Sequence, residues 1–261
     1  MNAQKIVKAS SKIYILKNRN MKFILLALMT ITSLTSNAQN LLIPSKKSFE
    51  KKWIRNTTYQ MVWYTIRDTT EYEIAKVNTQ IVKDKSKLTV VTRVVMKNMK
   101  TDWVDSTVAN LKTLKPIRHS SYNMQRDIVL NFGEVVTGFY NDKTKKTISS
   151  VSDTTRNEYF DSNLYPILIG WLPLRNNYKQ DISIYNYNPA GKTGMLKAYL
   201  KNVTSSSYQT EKNGIRNVWV VTVSDEIGNG VVTYYFDRVD RKLWKYEIDV
   251  NGSKMIIKLI E

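Results

Sequence analysis

Cysteine is absent from the 261 residues, and the only histidine is His119. Without thiols the chain can form neither a disulfide nor a thiolate metal site, and a single imidazole cannot build the multi-histidine zinc centres of common hydrolases. We therefore expect no metal and no cofactor. The fold has to be stabilised by its apolar core alone.

The short signatures of several enzyme classes are missing as well. The chain has no G-x-S-x-G nucleophile elbow, no G-x-x-x-x-G-K-[ST] phosphate loop and no G-x-G-x-x-G dinucleotide turn. His119 lies beside Arg118, Ser120 and Ser121 in a run typical of a strand. We interpret it as an exposed or half-buried strand residue rather than as part of a catalytic triad, and we predict a protein that is not an enzyme.

Carboxylates leave one catalytic class open, because a glycosidase-type hydrolase needs only two acids about 5–10 Å apart. The sequence offers three pairs of neighbouring acids, Asp102 with Asp105, Glu71 with Glu73, and Asp237 with Asp240. Acids that flank turns are common on any β protein. A carboxylate-dependent hydrolase is therefore kept only as a second alternative.

Long apolar runs are scarce, and the clearest one lies near the N-terminus. It extends from Phe23 to about Leu34, follows Lys22 and precedes Ser36-Asn37-Ala38. A basic residue, an apolar run of about 12 residues and small residues at the end are the parts of a secretory signal peptide. Such a run is too short to cross the ~30 Å hydrocarbon layer as a permanent helix.

We accordingly predict a signal peptide at 21–38 with cleavage before Gln39. Residues 1–20 are interpreted as an upstream extension, or alternatively as an unusually long basic start of the signal. The expected location is the periplasm or the exterior of a Gram-negative-type bacterium. We expect no transmembrane span in the mature chain, and the sequence leaves the oligomeric state open.

Basic residues outnumber acidic ones, 40 to 22, which gives a net charge of +18. Residues 1–38 carry six Lys and Arg and no acid, so the chain from Gln39 onward has 18 − 6 = +12. Basic proteins are attracted to anionic partners. For an exported protein these are lipid head groups and anionic envelope polymers, and we expect no nucleic acid. Lysines scattered at turns are equally typical of ordinary solvated charges.

From Trp53 onward the pattern predicts a mainly β fold. Short alternating segments separated by Asn, Asp, Gly and Lys at spacings of about 8–12 residues favour an antiparallel sheet. Asn213-Gly214 and Asn251-Gly252 provide the positive φ of tight hairpin turns. We predict a curved antiparallel sheet or incomplete barrel of roughly 10–14 strands, forming a single domain at 53–261 after a leader at 39–52.

One stretch departs from this pattern: residues 161–178 read DSNLYPILIGWLPLRNNY. Its spacing predicts a short helix near 162–171, with Ser162 or Asn163 placed to cap it and Pro173 to end it. A helix of about ten residues cannot cross a membrane. It is predicted either to cover a ligand as a lid or to fill the core.

The candidate ligand-binding residues come from this helix and from the aromatic runs. Apolar residues at i, i+3, i+4 and i+7 form one face of the helix. Runs such as Trp63-Tyr64 and Tyr234-Tyr235-Phe236 place rings on both faces of a strand, so one ring can contact a ligand while its neighbour packs in the core. The candidates are Leu164, Ile167, Leu168, Trp171, Trp63 and Tyr235.

The middle of the chain resembles a known family pattern. Its motifs are an acid before a Thr-Leu-x-Pro step, a G-x-V-x-G-like hairpin, a Phe-Asp step, and a short helix ending in Leu-Pro-Leu before a tyrosine. They correspond to Asp105, Thr113-Leu114-Lys115-Pro116, Gly133 to Gly138, Phe160-Asp161, Leu172-Pro173-Leu174 and Tyr178. The chain is similar to a family of uncharacterised exported β domains of unknown function.

The resemblance implies a strongly curved, incomplete antiparallel barrel, similar to the lipoprotein-carrier half-barrels that hold lipid on a concave face. It implies no catalytic residue. The leading hypothesis is therefore an exported, non-catalytic β half-barrel that binds a lipid or other amphiphile in the cell envelope. The alternative is a basic, aromatic-rich envelope protein that docks on an anionic glycan or protein.

Overall fold

Antiparallel β-strands dominate residues 41–261, which are the part of the chain that the computed structural model describes. The predicted signal peptide at 21–38 and the extension at 1–20 lie outside the described residues. The strands are β1 (Thr57–Arg67), β2 (Thr70–Asp84), β3 (Lys87–Met96), β4 (Trp103–Asn110), β5 (Pro116–Tyr122), β6 (Arg126–Asn131), β7 (Val135–Asp142), β8 (Thr147–Thr154), β9 (Phe160–Asp161), β10 (Gln180–Asn186), β11 (Gly194–Gln209), β12 (Ile215–Asp225), β13 (Val231–Asp237), β14 (Leu243–Val250) and β15 (Ser253–Leu259).

All of these strands belong to one sheet, whose order is β8-β7-β6-β5-β4-β3-β2-β1-β15-β14-β13-β12-β11-β10-β9. The first and last strands therefore pair with each other in the middle of the sheet, and successive hairpins extend from them in both directions. Only β9 runs parallel to its neighbour, β10. The edges, β8 and β9, do not pair with each other, so the sheet is not closed. The predicted fold class is confirmed.

The alternation that predicted the strands also gives the sheet two distinct faces. On β2 the side chains of Ala75, Val77, Thr79 and Ile81 are buried, whereas those of Lys76 and Gln80 between them are exposed. Successive side chains of a strand point to opposite faces, so the apolar set lies on the concave side and the charged set meets water.

Curvature brings distant strands into one core. The main core contains Ile81 of β2 and Val90 of β3 together with Ile184 of β10 and Val221 of β12. These strands lie in opposite halves of the sheet, so the sheet must bend around the core for them to pack together.

At its two ends the sheet overlaps itself. Strand β10 is covered on both faces: Ile184 packs into the main core, whereas Tyr185 packs with Ile128 and Val136 of β6 and β7. The hydroxyl of Tyr185 donates a hydrogen bond of 2.9 Å to Asp153 of β8. Side chains, rather than a strand ladder, therefore join the two ends.

The predicted helix is present as α1 (Tyr165–Trp171), within the stretch at 162–171. Pro166 lies in its first turn and the chain becomes extended at Leu172, just before Pro173. The expected cap is wrong: Leu164 occupies the N-cap position, without a capping side chain. Within residues 41–261, no helix has the length and apolar character needed to cross a membrane.

Two strands have unusual lengths. Strand β11 is continuous over 16 residues, although serines interrupt its apolar alternation at 205–207. The serines at 205–207 remain in register with β12, because an exposed strand position accepts polar residues when its neighbour supplies the hydrogen bonds. Strand β9 has only two residues, too few to show an alternation, and raises the strand number to 15.

The segment before β1 packs against the rest of the fold. Leu42 forms a parallel bridge with Ile182 and is 1% exposed. Phe49 and Ile54 are buried in the main core. The amide of Glu50 donates a 2.8 Å hydrogen bond to the carbonyl of Trp171, which fixes this segment beside the end of α1.

Candidate functional site

A cavity of about 720 Å³ lies between α1 and the concave face of the sheet. The helix contributes Pro166, Ile167, Gly170 and Trp171 to its lining, and the facing wall comes chiefly from β1, β2, β13 and β14. Ligand cavities in proteins commonly measure about 300–1,000 Å³. The space is therefore large enough for a small organic molecule.

Aromatic side chains form much of this wall. Tyr59, Tyr234 and Tyr246 face the cavity together with Phe236. Their rings support one another: the centroids of Tyr234 and Phe236 are 5.7 Å apart in a stacked arrangement. Burial raises the pKa of Tyr234 and of Tyr246 above the ordinary value of a tyrosine, so both hydroxyls are neutral at physiological pH.

The position of the helix above this wall depends on Gly170. A β-carbon added to Gly170 would lie 2.8 Å from Cε1 of Phe236, closer than van der Waals contact allows. The absence of a side chain therefore lets α1 approach β13 closely at this point while the rest of the helix spans the cavity.

One end of the cavity is basic. Around the indole ring of Trp53 lie the cationic groups of Lys52 at 4.8 Å, Arg241 at 5.2 Å and Arg55 at 5.8 Å. We call these four residues the Trp53 cluster. Glu50 is the carboxylate beside it: its Oε1 lies 3.0 Å from Lys52 and its Oε2 3.7 Å from Arg241. Trp53, Arg55 and Arg241 also line the cavity.

A second polar feature lies where the sheet overlaps itself. His119 of β5 forms an ion pair with Asp161 of β9, with 3.1 Å between Nδ1 and Oδ2 and side-chain exposures of 7% and 3%. The hydroxyl of Thr107 donates to the same oxygen at 2.5 Å. The side-chain amide of Asn163 lies 3.2 Å from the imidazole. The pair therefore ties β4 and β5 to the strand that leads into α1.

The protonation of this pair is set by its burial and by its partners. Burial alone would raise the pKa of Asp161, but the charge and hydrogen bond of His119 and the hydroxyl of Thr107 outweigh it and lower that pKa. Burial alone would lower the pKa of His119, but the charges of Asp161 and Asp105 outweigh it and raise that pKa. The fold thus favours imidazolium opposite carboxylate.

These shifts predict how stability depends on pH. The His119 pKa is raised above 6.5, so its contribution is complete below about pH 6.5 and is lost as pH rises through the folded value. The Asp161 pKa is lowered below 3.8, so its contribution is complete above about pH 3.8 and is lost as pH falls through the folded value. The pair should stabilise the fold most between these limits.

Chemical denaturation from about pH 5.5 to about pH 9 measures the basic side of this profile. The free energy of unfolding should fall across that range, and a His119→Gln variant should show a smaller fall. Asp105 and Arg126 are the other charged groups that influence the imidazole, and both remain in the variant. Parallel profiles for the two proteins would contradict the assignment.

The family described as "Protein of unknown function (DUF3108)" matches residues 58–258. The chain belongs to this family. The match extends from the second residue of β1 to the penultimate residue of β15 and so includes α1, the cavity wall and the buried ion pair. The predicted membership in a family of β domains of unknown function is confirmed.

Among solved structures, this DUF3108 chain is similar to a protein from Brucella abortus described as a β-barrel-like protein of the domain of unknown function DUF1849. The two are 9% identical with a TM-score of 0.49, and the similarity covers 78% of this chain and 95% of that chain. No curated protein matches the chain.

The six predicted ligand-binding residues lie in different environments. Ile167 and Trp171 line the cavity. Leu164 and Leu168 do not line it and are fully buried in the main core. The helix thus lines the cavity and also packs in the core, because its apolar surface is wider than the one stripe that the spacing indicated. Binding of a ligand by these residues stays a prediction.

The two remaining candidates, Trp63 and Tyr235, do not line the cavity. Trp63 packs in a second cluster, next to an irregularity in the pairing of β1 with β2. Tyr235 lies on the opposite face of β13 from Tyr234, and its ring is covered by Lys245 at 4.2 Å. In the run 234–236 the outer positions face the cavity, and sequence alone does not show which face closes over a ligand.

The environment predicted for His119 is wrong. The residue lies on a strand as expected, but it is buried and ion-paired, because the partner Asp161 arrives from a distant part of the chain. One acid of each predicted acid pair forms an ion pair with a basic residue. Asp102 pairs with Arg93. Glu71 pairs likewise with Lys258 and Asp237 with Arg216.

Sequence reasoning missed Asp161, Arg241, Tyr234 and Tyr246 as individual site residues. The Phe-Asp step before the helix is a weak signal for Asp161. Tyr234 lies within the aromatic run 234–236, for which the pattern indicated Tyr235 instead. Nothing distinguishes Arg241 in the sequence, since it occupies a turn rich in Arg, Lys and Asp.

Proposed function

We propose that the protein is an exported, non-catalytic β half-barrel that holds a lipid or another amphiphile beneath α1, in the cell envelope of a Gram-negative-type bacterium. One observation carries the proposal: the concave face is not packed solid beneath α1 but forms a partly open cavity of about 720 Å³. Protein cores are normally filled by close-packed side chains, and this cavity leaves part of the apolar concave face uncovered.

The chemistry of the lining supports an amphiphile. Val232, Ile248 and Met61 contribute aliphatic surface, and the aromatic rings contribute more. Contact between water and an apolar wall is unfavourable. An acyl chain that binds against this wall would gain about 0.8 kcal/mol for each methylene that it buries. The basic residues lie at one end, so a bound molecule meets an apolar wall along its length and charge at its tip.

The absence of a substrate-sized space at the buried ion pair supports a non-catalytic role. His119, Asp161 and Asp105 adjoin a cavity of only about 60 Å³, separate from the large one except at Asp105 and Asn163. Catalysis requires a reacting atom within hydrogen-bonding reach of the acid or base. This cluster instead connects strands, which is a structural task.

The outer face gives less support to docking on an anionic polymer. Two of its rings contact a cation of the same chain: Lys245 lies 5.4 Å from the ring centroid of Tyr208 and 4.2 Å from that of Tyr235. An incoming glycan would have to displace these contacts.

The proposal is tested by extracting the purified protein with organic solvent and analysing the extract by mass spectrometry, before and after filling the cavity. Ile167→Trp places a larger side chain in the cavity, so the acyl chain of the lipid can bury less surface there. The amount of co-purified lipid should therefore fall about tenfold or more. Ile148→Trp makes the same change at a side chain that is 74% exposed and should leave the lipid content unchanged.

Two outcomes would contradict the proposal. One is an extract without lipid from a protein that also fails to bind added fatty acids or phospholipids. The other is an Ile167→Trp variant that retains the full lipid content. Binding to an anionic polymer that weakens steeply between about 50 and 300 mM salt, without lipid, would favour the docking alternative.

A further inference from the structure

Arg241 is the buried cation of the cavity. Its side chain is 8% exposed, and its Nε and Nη1 atoms are buried without a hydrogen-bond partner. More than nine in ten buried polar groups in proteins are hydrogen-bonded. The free-energy cost is larger for a charged guanidinium than for a neutral group. Burial removes its water, and no hydrogen bond from the protein compensates for that loss. The site as it stands is incomplete.

Glu50 does not complete it. The carboxylate approaches only Nη2, at 3.7 Å, which is longer than a hydrogen bond. The same oxygen already accepts 2.6 Å from the indole N–H of Trp53, and the other oxygen lies 3.0 Å from Lys52. Glu50 is thus shared among three donors and leaves the remaining nitrogens of Arg241 free to bind an acceptor.

The backbone indicates that this position of the guanidinium is imposed by the turn. Arg241 lies between β13 and β14 with φ = 64°, a left-handed conformation that costs a non-glycine residue about 1–2 kcal/mol. Its amide donates a 3.1 Å hydrogen bond to the carbonyl of Asp237, which closes the turn. The turn thus holds Arg241 in an unfavourable backbone conformation, and in this conformation its side chain lines the cavity.

The charges around this end favour an anion. Arg55, Arg241 and Lys242 line the cavity here, and Lys52 completes the Trp53 cluster. The acids nearby are Glu50, which is engaged as described, and Asp240, which also lines the cavity but is exposed on the turn. The cations exceed the acids, and a negative group placed among them would satisfy the guanidinium.

We propose that the occupant of the cavity is a single-chain amphiphile with an acidic head group, a carboxylate or a phosphate, which accepts hydrogen bonds from Nε and Nη1 of Arg241. Its apolar chain lies along the wall formed by β1, β13 and β14 beneath α1. This inference rests on the proposed function, because it needs the cavity to hold an amphiphile, and it adds the chemistry by which the molecule is recognised and oriented.

The test compares two probes that differ only in charge, 9,10-dibromostearic acid and its methyl ester. Bromine quenches tryptophan fluorescence at short range, and Trp171 and Trp53 both line the cavity. The acid should bind the purified protein about 10- to 100-fold more tightly than the ester, since a charged hydrogen bond is stronger than a neutral one. Dodecyl phosphate, added as a competitor, tests the phosphate head group.

Substitutions at residue 241 test whether Arg241 causes the preference for the acid over the ester. Arg241→Met keeps most of the side-chain length but removes the charge, so the acid should lose its advantage while the ester binds as before. Arg241→Lys should retain part of the advantage. Arg238→Met is the matched control, since Arg238 belongs to the same turn but is exposed and does not line the cavity; its preference should be unchanged.

The outcomes separate this inference from the proposed function. Equal affinity for acid and ester, with clear quenching by both, would overturn the acidic head group and leave amphiphile binding intact. A preference that persists in Arg241→Met would overturn the role of Arg241. Failure of both probes to quench would overturn the proposed function itself. Displacement of the dibrominated acid by dodecyl phosphate would show that the same site also accepts a phosphate head group.

Discussion

Replacing Asp161 with asparagine should lower the free energy of unfolding by about 3–5 kcal/mol, the range found when one partner of a buried ion pair is removed. The carboxylate is the counter-charge of His119 at 3.1 Å and also accepts from Thr107 at 2.5 Å. An amide in its place removes the nearest counter-charge of the buried imidazolium and leaves only the charge of Asp105.

Urea denaturation near pH 6 measures this loss where the pair is charged. Asp102→Asn makes the same substitution at an ion pair with exposures of 56% and 35%, and should cost no more than about 1 kcal/mol. A loss at Asp161 as small as that at Asp102 would show that the buried pair stabilises no more than a surface pair.

The location of this pair adds a functional consequence to the loss. Asp161 also accepts a 3.1 Å hydrogen bond from the amide of Asn163, and its carbonyl accepts one from Leu164. The bond from Asn163 is charge-assisted and becomes a weaker neutral bond in the variant, so the start of α1 should loosen together with the contact between β5 and β9. Faster amide hydrogen exchange at residues 163–168 in Asp161→Asn than in Asp102→Asn would show this.

Replacing Gly138 with alanine should cost about 2–6 kcal/mol. A β-carbon at Gly138 would lie 1.9 Å from the carbonyl oxygen of Val129 on the neighbouring strand β6. Backbone, unlike a flexible side chain, cannot move aside without breaking the strand pairing. The estimate combines about 1–3 kcal/mol for the unfavourable backbone conformation with about 1–3 kcal/mol for overpacking.

Gly214→Ala separates these two contributions. Gly214 also has a positive φ, 70°, but a β-carbon there would meet nothing within 4 Å. Its substitution should therefore cost only the conformational part. Thermal or urea unfolding of both variants checks the difference, and equal losses would refute a steric role for Gly138.

The fold class was predictable because it depends on a pattern that each strand carries by itself. The alternation of β2, from Val77 to Ile81, is visible without knowledge of any partner strand. The helix was predictable for the same reason, from Pro166, Pro173 and the spacing between them. The two-residue β9 was not, because its place is decided by pairing with β10 rather than by its own sequence.

The site was only partly predictable, because it is made by curvature. Ile167 and Trp171 were found because a helix of known phase exposes one face. Tyr234 was missed in favour of Tyr235, since two neighbouring rings on a strand are equivalent until the concave side is known. His119 and Asp161 come from β5 and β9, and only the bending of the sheet brings them together.

The pairing of β1 with β15 also determines the order in which the molecule can assemble. Met61 lies opposite Leu259, so the centre of the sheet is joined by a contact that spans almost the entire domain, whereas every other antiparallel pairing is a local hairpin. Contacts of such sequence separation form slowly. The two series of hairpins can each form early. The cavity between them exists only after β15 has been synthesised and has paired with β1.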